Sequence, residues 1–224
     1  MKRSEINSII RDAICFADKL SFRLPPFAAW TPEDWRSKRH ECDEIRDNML
    51  GWDVTDYGLG DFGSVGLALF TMRNGNCPGY PKTYAEKLLI SREGQVCPMH
   101  FHWSKMEDII NRGGGILVTR LYNADQNDGL DGSDVTVSLD GVKLTVPAGA
   151  ELELPPGASV TLTRRMYHAF WAKPGHGPVL IGEVSQVNDD NSDNRFFEPI
   201  GRFPAIEEDE PPFRLLCNEY PGVS

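Results

Sequence analysis

The sequence has no long hydrophobic run. Across its 224 residues, no segment reaches the roughly 18 apolar residues that a membrane-spanning helix needs. Residues 1–5 lead directly into a pattern interrupted by Arg11 and Asp12, whereas a secretory signal would show an uninterrupted apolar stretch there. We therefore expect a cytoplasmic protein with no membrane partner.

Cysteine is sparse and lacks a pairing pattern. The chain has five cysteines, an odd number, and they are scattered without a Cys-x-x-Cys motif. This usage is typical of a reducing compartment rather than of a disulfide framework. We interpret Cys97, the cysteine closest to the histidines described below, as a small buried residue.

Positive charge is also in short supply. Lysine and arginine number 23 against 33 aspartates and glutamates, which gives a net charge of −10. Because phosphate binding requires a basic face, a nucleic-acid partner is not expected. Part of the negative charge lies in one block at residues 207–210, which we interpret as a solvated segment.

The chain shows no internal repeat and no low-complexity linker, so the simplest interpretation is one domain over 1–224. Residues 1–52 read as a helical extension, with Ser4 as a possible cap of the first helix and Thr31 as the cap of the second. About nine short strands follow over 53–188, without long helices between them, which favours a mainly β sandwich or barrel. The remaining residues, 189–224, read as an irregular tail.

Histidine is rare, and its placement is the most informative feature of the sequence. Three of the five histidines are His100, His102 and His168, and Glu107 follows the first pair closely. On a strand, residues two apart share a face, so His100 and His102 can chelate one ion. An odd separation of five residues requires a bulge or turn before Glu107. Three imidazoles and one carboxylate suit a divalent metal: Zn²⁺, Mn²⁺, Fe²⁺, Co²⁺ and Ni²⁺ can all use them.

This run resembles the first motif of the cupin superfamily. Its pattern is Gly94-x5-His100-x-His102-x4-Glu107-x6-Gly114, and Gly149-x5-Pro155-x-Gly157 resembles the opening of the second motif. His168 follows Gly157 after a longer gap than that motif usually has, which an extended hairpin can absorb. The resemblance implies a cupin jelly-roll β-barrel behind the N-terminal helices, with His168 as the fourth ligand.

Three further residues are candidates for catalysis. Glu183 lies in the apolar run 179–184, and a buried carboxylate either finds a partner or has its pKa raised, which suits a general base. A structural ion pair is an equally good interpretation of Glu183. Lys105 lies between the second histidine and Glu107, and Lys87 lies in another apolar run. Either ammonium can stabilise a developing oxyanion, although Lys87 can also be a surface lysine with a buried stem.

A polar segment at residues 188–196 follows the Glu183 strand directly. Such residues usually form turns, but they also hydrogen-bond hydroxyl groups well, so the segment can bind a sugar. We select Asn188 and Asp190 from it as substrate-binding residues, together with Phe170 on the strand that carries His168.

Taken together, these residues make the chain similar to the D-lyxose ketol-isomerase family. The similarity rests on residues 87–90, on the run from His100 to Ile109, and on residues 183–190, and it extends over nearly the whole chain. It implies a homodimer that binds Mn²⁺ through His100, His102, Glu107 and His168. It also implies a monosaccharide substrate, with interconversion of D-lyxose and D-xylulose and of D-mannose and D-fructose.

Three other functions remain open from the residues alone. A cupin Fe(II) dioxygenase uses similar ligands. A phosphosugar isomerase would need a cationic pocket, for which Arg164 and Arg165 form the only adjacent basic pair near the motif. A non-catalytic sugar-binding cupin would keep the metal without a working Glu183.

Overall fold

Two antiparallel sheets form the central part of the computed structural model, which describes residues 1–75, 77–190 and 192–223. The larger sheet has the strand order β1-β2-β3-β13-β5-β11-β8-β9 and the smaller has the order β10-β6-β12-β4-β14, with β7 paired to β6. The strands are β1 Gly51–Thr55, β2 Leu67–Arg73, β3 Tyr84–Ser91, β4 Cys97–His102, β5 Glu107–Gly114, β6 Leu117–Ala124, β7 Leu130–Asp131, β8 Val135–Leu139, β9 Val142–Val146, β10 Glu151–Leu154, β11 Ser159–Leu162, β12 Met166–Ala172, β13 Val179–Gln186 and β14 Asn194–Phe196.

The two sheets share one apolar core. Its buried side chains come from the inner faces of both sheets, for example Leu89 and Ile109 from the larger and Leu121 and Phe170 from the smaller. This arrangement confirms the mainly β, cupin-like fold class that the sequence predicts. The number of strands is higher than expected because β1, β7 and β14 are added and because residues 97–110 and 159–171 each divide into two strands around a turn. In both cases the chain crosses from one sheet to the other.

The helices are α1 Arg3–Lys19, α2 Pro32–Ser37 and α3 Asp43–Asp47, with 3-10 turns at Pro26–Ala29 and His40–Cys42. The apolar face of α1, including Ile6 and Ile10, packs on the outer face of the larger sheet and forms one apolar cluster with Phe70 and Leu88. Among the described residues, none of the helices combines the length and apolarity needed to cross a bilayer.

The sequence predicts the N-cap residue of α2 correctly but not that of α1. Thr31 caps α2 in a reciprocal capping box with Asp34, as its sequence predicts. The expectation that Ser4 caps α1 is wrong, because the helix already begins at Arg3. Instead, Asp209 accepts hydrogen bonds from both Ser4 N and Ser4 Oγ.

The acidic block at 207–210 is exposed, but it is not a free segment. Glu208 pairs with the buried Arg3 at 2.6 Å, and Glu210 accepts a hydrogen bond from Asn7 Nδ2. Carboxylates at a helix N-terminus stabilise it by complementing the helix dipole. The block therefore fastens the C-terminal segment onto the first turns of α1.

The structure differs from the sequence-based expectation at the ends of the β region. Strand β1 begins at Gly51, inside the expected helical extension, and β14 lies within the expected irregular tail over 189–224. The tail folds back because Asn194, Arg195 and Phe196 pair with the histidine strand β4. This pairing brings the polar segment after β13 to the site.

Candidate metal centre and active site

Strand pairing places the three histidines side by side. His168 on β12 lies directly opposite His100 on β4 in the antiparallel register, so both rings project from the same face of the smaller sheet. His102, two residues further along β4, shares that face. The ring centroids of His100 and His168 are 4.1 Å apart. The coordinating atoms of all three histidines lie within 4.8 Å of one another.

Glu107 reaches the histidines from the opposite sheet. Residues 103–106 form the turn that the odd spacing requires, and Glu107 is the first residue of β5. The turn is held by Asp193, whose carboxylate accepts a hydrogen bond of 2.7 Å from Ser104 N. As a result, Glu107 Oε1 lies 3.3 Å from His102 Nε2 and 3.1 Å from His168 Nε2.

The histidine rings are oriented as metal ligands. His100 Nδ1 lies 2.7 Å from the carbonyl oxygen of Pro98, and His168 Nδ1 lies 3.0 Å from that of Met166. A carbonyl oxygen can only accept, so both Nδ1 atoms carry the proton and both Nε2 atoms present a lone pair. The buried Nε2 of His168 has no hydrogen-bond partner among the described residues. The three histidines therefore form a cluster that could hold a metal ion.

The charge state of the ligands favours metal binding as well. Burial, together with His168 and His102, lowers the pKa of His100 well below its usual value. Burial and the Lys105 ammonium also lower the pKa of His102. Burial opposes the ionisation of Glu107, but the Lys105 ammonium nevertheless holds the pKa of its carboxyl well below the usual range. Neutral imidazoles and an ionised carboxylate are the forms that bind a metal.

The predicted catalytic groups adjoin this centre. Lys105 Nζ lies 2.8 Å from Glu107 Oε2 and donates a hydrogen bond of 2.6 Å to Glu183 Oε1. Burial alone would lower the pKa of Lys105, but Glu107 and Glu183 raise it above the usual value. The ammonium therefore stays charged near neutral pH, which suits an electrostatic role rather than proton donation.

Lys87 is a second buried ammonium group beside Glu183, and it connects Glu183 with Asp190. Its ammonium lies 3.4 Å from Glu183 Oε1 and 2.8 Å from both carboxylate oxygens of Asp190. Burial disfavours ionisation of Asp190, but Lys87 and Arg202 hold the pKa of its carboxyl well below the usual range. Lys87 is thus a buried member of the site rather than a surface lysine.

Two charged residues of the site are absent from the sequence-based prediction. Arg202, in the C-terminal segment, lies 3.6 Å from Asp190 and donates a hydrogen bond of 3.0 Å to Asp53 on β1. Asp53 stands between Trp52 and Val54 in a strand that is buried throughout. The signal that singles out Glu183, one carboxylate in an apolar strand, therefore also marks Asp53. No comparable pattern marks Arg202.

These groups line one cavity with an empty volume of about 580 Å³, including solvent space at its mouth. Phe170 lines it, as do His100, His102 and Glu107. Asn188 does not; its side-chain amide donates a hydrogen bond of 2.6 Å to Asp190 and so orients that carboxylate. Asn191, in the same polar segment, lies outside the described residues.

Two other sequence interpretations can be compared with the cavity. Cys97 is buried, as expected, but it also lines the cavity, where its sulfur lies 3.1 Å from the Tyr57 hydroxyl. Arg164 and Arg165 do not line it. Arg164 contacts Gln186 and Arg165 pairs with Asp128. The basic pair that a phosphosugar pocket would need is therefore directed elsewhere.

Comparison with known proteins gives a consistent result. A family model described as D-lyxose isomerase matches residues 1–220. The D-lyxose/D-mannose isomerases of Serratia proteamaculans and Escherichia coli O157:H7 are 53% and 50% identical to this chain over 223 residues, covering 98% of each chain. Among solved structures, the L-ribose isomerase of Cellulomonas parahominis has a TM-score of 0.60 at 18% identity. That alignment covers 92% of this chain and 98% of the other, and it supports the fold alone.

Proposed function

The chain belongs to the D-lyxose isomerase family and is an aldose–ketose isomerase, and on that premise we propose that it interconverts D-lyxose with D-xylulose and D-mannose with D-fructose. The observation that carries the proposal is that a candidate metal ligand, Glu107, and the candidate base, Glu183, line the same cavity and are joined through Lys105. Glu107 belongs to the metal-binding set, and Lys105 joins it to Glu183 by two short contacts.

His100, His102, Glu107 and His168 are the proposed ligands of the metal. The supporting observations are the close approach of the His102 and His168 Nε2 atoms to Glu107 Oε1, at 3.3 and 3.1 Å, and the clustering of the three histidines. The family resemblance favours Mn²⁺, although the same donors fit Zn²⁺, Fe²⁺, Co²⁺ or Ni²⁺. A bound divalent ion would supply Lewis-acid polarisation of the carbonyl of the open-chain sugar.

Glu183 is the proposed general base. It is buried, it lines the cavity, and it lies beside the metal-binding set. In the proposed mechanism it takes the proton from C2 of the aldose and returns it to C1 through a cis-enediol, while the hydroxyl proton on O2 passes to O1. Ser185 Oγ also contacts Glu183 Oε1, at 3.2 Å, and with Lys105 it fixes the orientation of the carboxylate.

Lys105 and Lys87 are the proposed electrostatic catalysts. Both ammonium groups contact Glu183 Oε1, so both lie next to the position at which negative charge would develop on the sugar oxygens. A fixed positive charge in a buried site stabilises such a charge without reorganisation. Asp190 and Phe170 are the proposed substrate-binding residues that line the cavity, and Asn188 acts through Asp190.

Isotope exchange tests the proton-transfer route directly. When D-lyxose is converted in deuterium oxide, we expect deuterium at C1 of the D-xylulose product, because the proton held by Glu183 can exchange with solvent before its return. The product is analysed by NMR and mass spectrometry. A hydride shift between C2 and C1 predicts product without deuterium, and that result would contradict the role of Glu183 as base.

We further propose that the chain acts as a single-domain homodimer in the cytoplasm. The family resemblance supports the dimer. The single domain is supported by the contacts of Arg3 and Asn7 on α1 with Glu208 and Glu210 near the other end of the chain, which join the two terminal segments.

A further inference from the structure

One buried carboxylate oxygen of Asp53 accepts no hydrogen bond from the described residues. The residue is 2% exposed, and its Oδ1 has no hydrogen-bond partner among the described residues. In folded proteins nearly all buried polar atoms are hydrogen-bonded, so an isolated acceptor needs an explanation. Asp53 lines the cavity that holds the candidate catalytic groups. A ligand in that cavity can provide the missing donor.

The strand register places Asp53 on the inner face of the larger sheet together with the catalytic groups. Directly opposed residues share a face, and the pairings run from Asp53 to Leu69 and from Leu69 to Leu89. Lys87, two residues from Leu89 on β3, shares that face and lies opposite Glu183. A sugar bound at the metal centre and extended along this face therefore approaches Asp53 with its far end.

The neighbouring charges hold Asp53 in position. Arg202 donates a hydrogen bond of 3.0 Å to Asp53 Oδ2, which leaves Oδ1 as the free oxygen. Arg202 also contacts Asp190, which in turn contacts Lys87, so the cations of this region are already paired with carboxylates. A neutral hydroxyl group can donate to Asp53 Oδ1. A phosphate group at the same place would meet the negative charge of Asp190, and the cations beside it among the described residues are already paired with carboxylates.

We propose that Asp53 is a specificity-determining residue whose Oδ1 accepts a hydrogen bond from the terminal hydroxyl group of the open-chain sugar, at the end furthest from the metal. The proposal rests on the proposed function and extends it. It assigns Arg202 as the positioning residue that orients Asp53. It also gives a physical reason for preferring free sugars over sugars phosphorylated at the terminal carbon.

The test compares D-mannose with 6-deoxy-D-mannose, which lacks only the terminal hydroxyl group. For the wild-type metal-loaded enzyme we expect kcat/KM to be about 10-fold or more lower for the deoxy sugar, because the buried Asp53 Oδ1 is then left without a hydrogen-bond donor. In Asp53→Ala the two sugars should be converted with similar kcat/KM. The loss should appear mainly in KM, because the terminal hydroxyl is remote from the reacting carbons.

Two further variants make the test decisive. Asp53→Leu keeps the branched shape of the side chain without its hydrogen-bonding oxygens and serves if the alanine variant does not fold, as judged by thermal melting. Asp56→Asn is the matched control: Asp56 is an equally buried acid nearby, but its side chain accepts from Gly58 N. The control should keep the wild-type discrimination between the two sugars.

The possible outcomes distinguish a failure of the proposed isomerase function from a failure of the proposed role of Asp53. If the wild-type enzyme converts neither D-lyxose nor D-mannose, the proposed function fails. If it converts both and discriminates against the deoxy sugar equally in the wild type and the Asp53 variants, the role of Asp53 is refuted. Efficient conversion of D-mannose 6-phosphate by the wild type would also refute it, because that substrate would place a phosphate against Asp53.

Discussion

Replacing Glu183 with glutamine is expected to remove most of the turnover while leaving the metal in place. The amide has nearly the same shape, and its oxygen can still accept the hydrogen bond from Lys105, but it cannot take a proton from C2. General acid–base catalysis typically contributes about 10²- to 10⁴-fold to the rate, so kcat should fall by that amount. Steady-state kinetics and metal analysis of the same sample give the two readouts.

Glu86→Gln provides the control for this substitution. Glu86 lies on the neighbouring strand β3, where it pairs with Arg73 at 2.8 Å, and it is not among the described residues that line the cavity. Its removal should leave kcat unchanged. Full activity in Glu183→Gln would show that Glu183 serves only as a structural partner of Lys105.

Replacing His168 with alanine is expected to release the metal and, with it, the activity. Of the four proposed ligands, His168 is the one that the sequence motif places least clearly, yet its Nε2 lies 3.1 Å from Glu107 Oε1. Loss of a group that merely supports a metal ligand costs about 10- to 100-fold in affinity, so loss of a direct ligand should cost more. Calorimetric titration of the metal-free variant with Mn²⁺ measures the change.

His176→Ala separates a ligand effect from the general effect of losing a histidine. His176 is exposed in the loop before β13 and should bind no metal, so its variant should keep the wild-type affinity. Unchanged Mn²⁺ affinity in His168→Ala would remove this residue from the ligand set. It would leave His100, His102 and Glu107 as the proposed centre.

The local parts of the site could be predicted because they follow from strand geometry. His100 and His102 share a face of β4, and the odd spacing to Glu107 requires the turn that the structure contains at residues 103–106. The turn between β8 and β9 is equally local: its sequence Asp140-Gly141 is typical of a two-residue hairpin turn, and both residues adopt the positive φ that such a turn needs. In each case a few neighbouring residues determine the geometry.

The missed parts of the site depend on contacts between distant segments. Arg202 reaches the cavity only because β14 pairs with β4 and the acidic block at 207–210 docks on α1. No periodicity in the C-terminal sequence indicates either contact. The role of Asp193 could not be predicted either. Its segment reads as a turn, and its hydrogen bond with Ser104 N follows from the tertiary arrangement.

The most direct test of the proposed function is the isomerisation of sugars by metal-stripped protein, with and without added Mn²⁺. D-lyxose, D-mannose, D-xylose and their phosphates are supplied, and ketose formation is measured. We expect no turnover without metal, restoration by Mn²⁺, the fastest conversion with D-lyxose, and little conversion of the phosphates. Undiminished turnover by the metal-free protein, or no ketose from any sugar when metal is bound, would contradict the account.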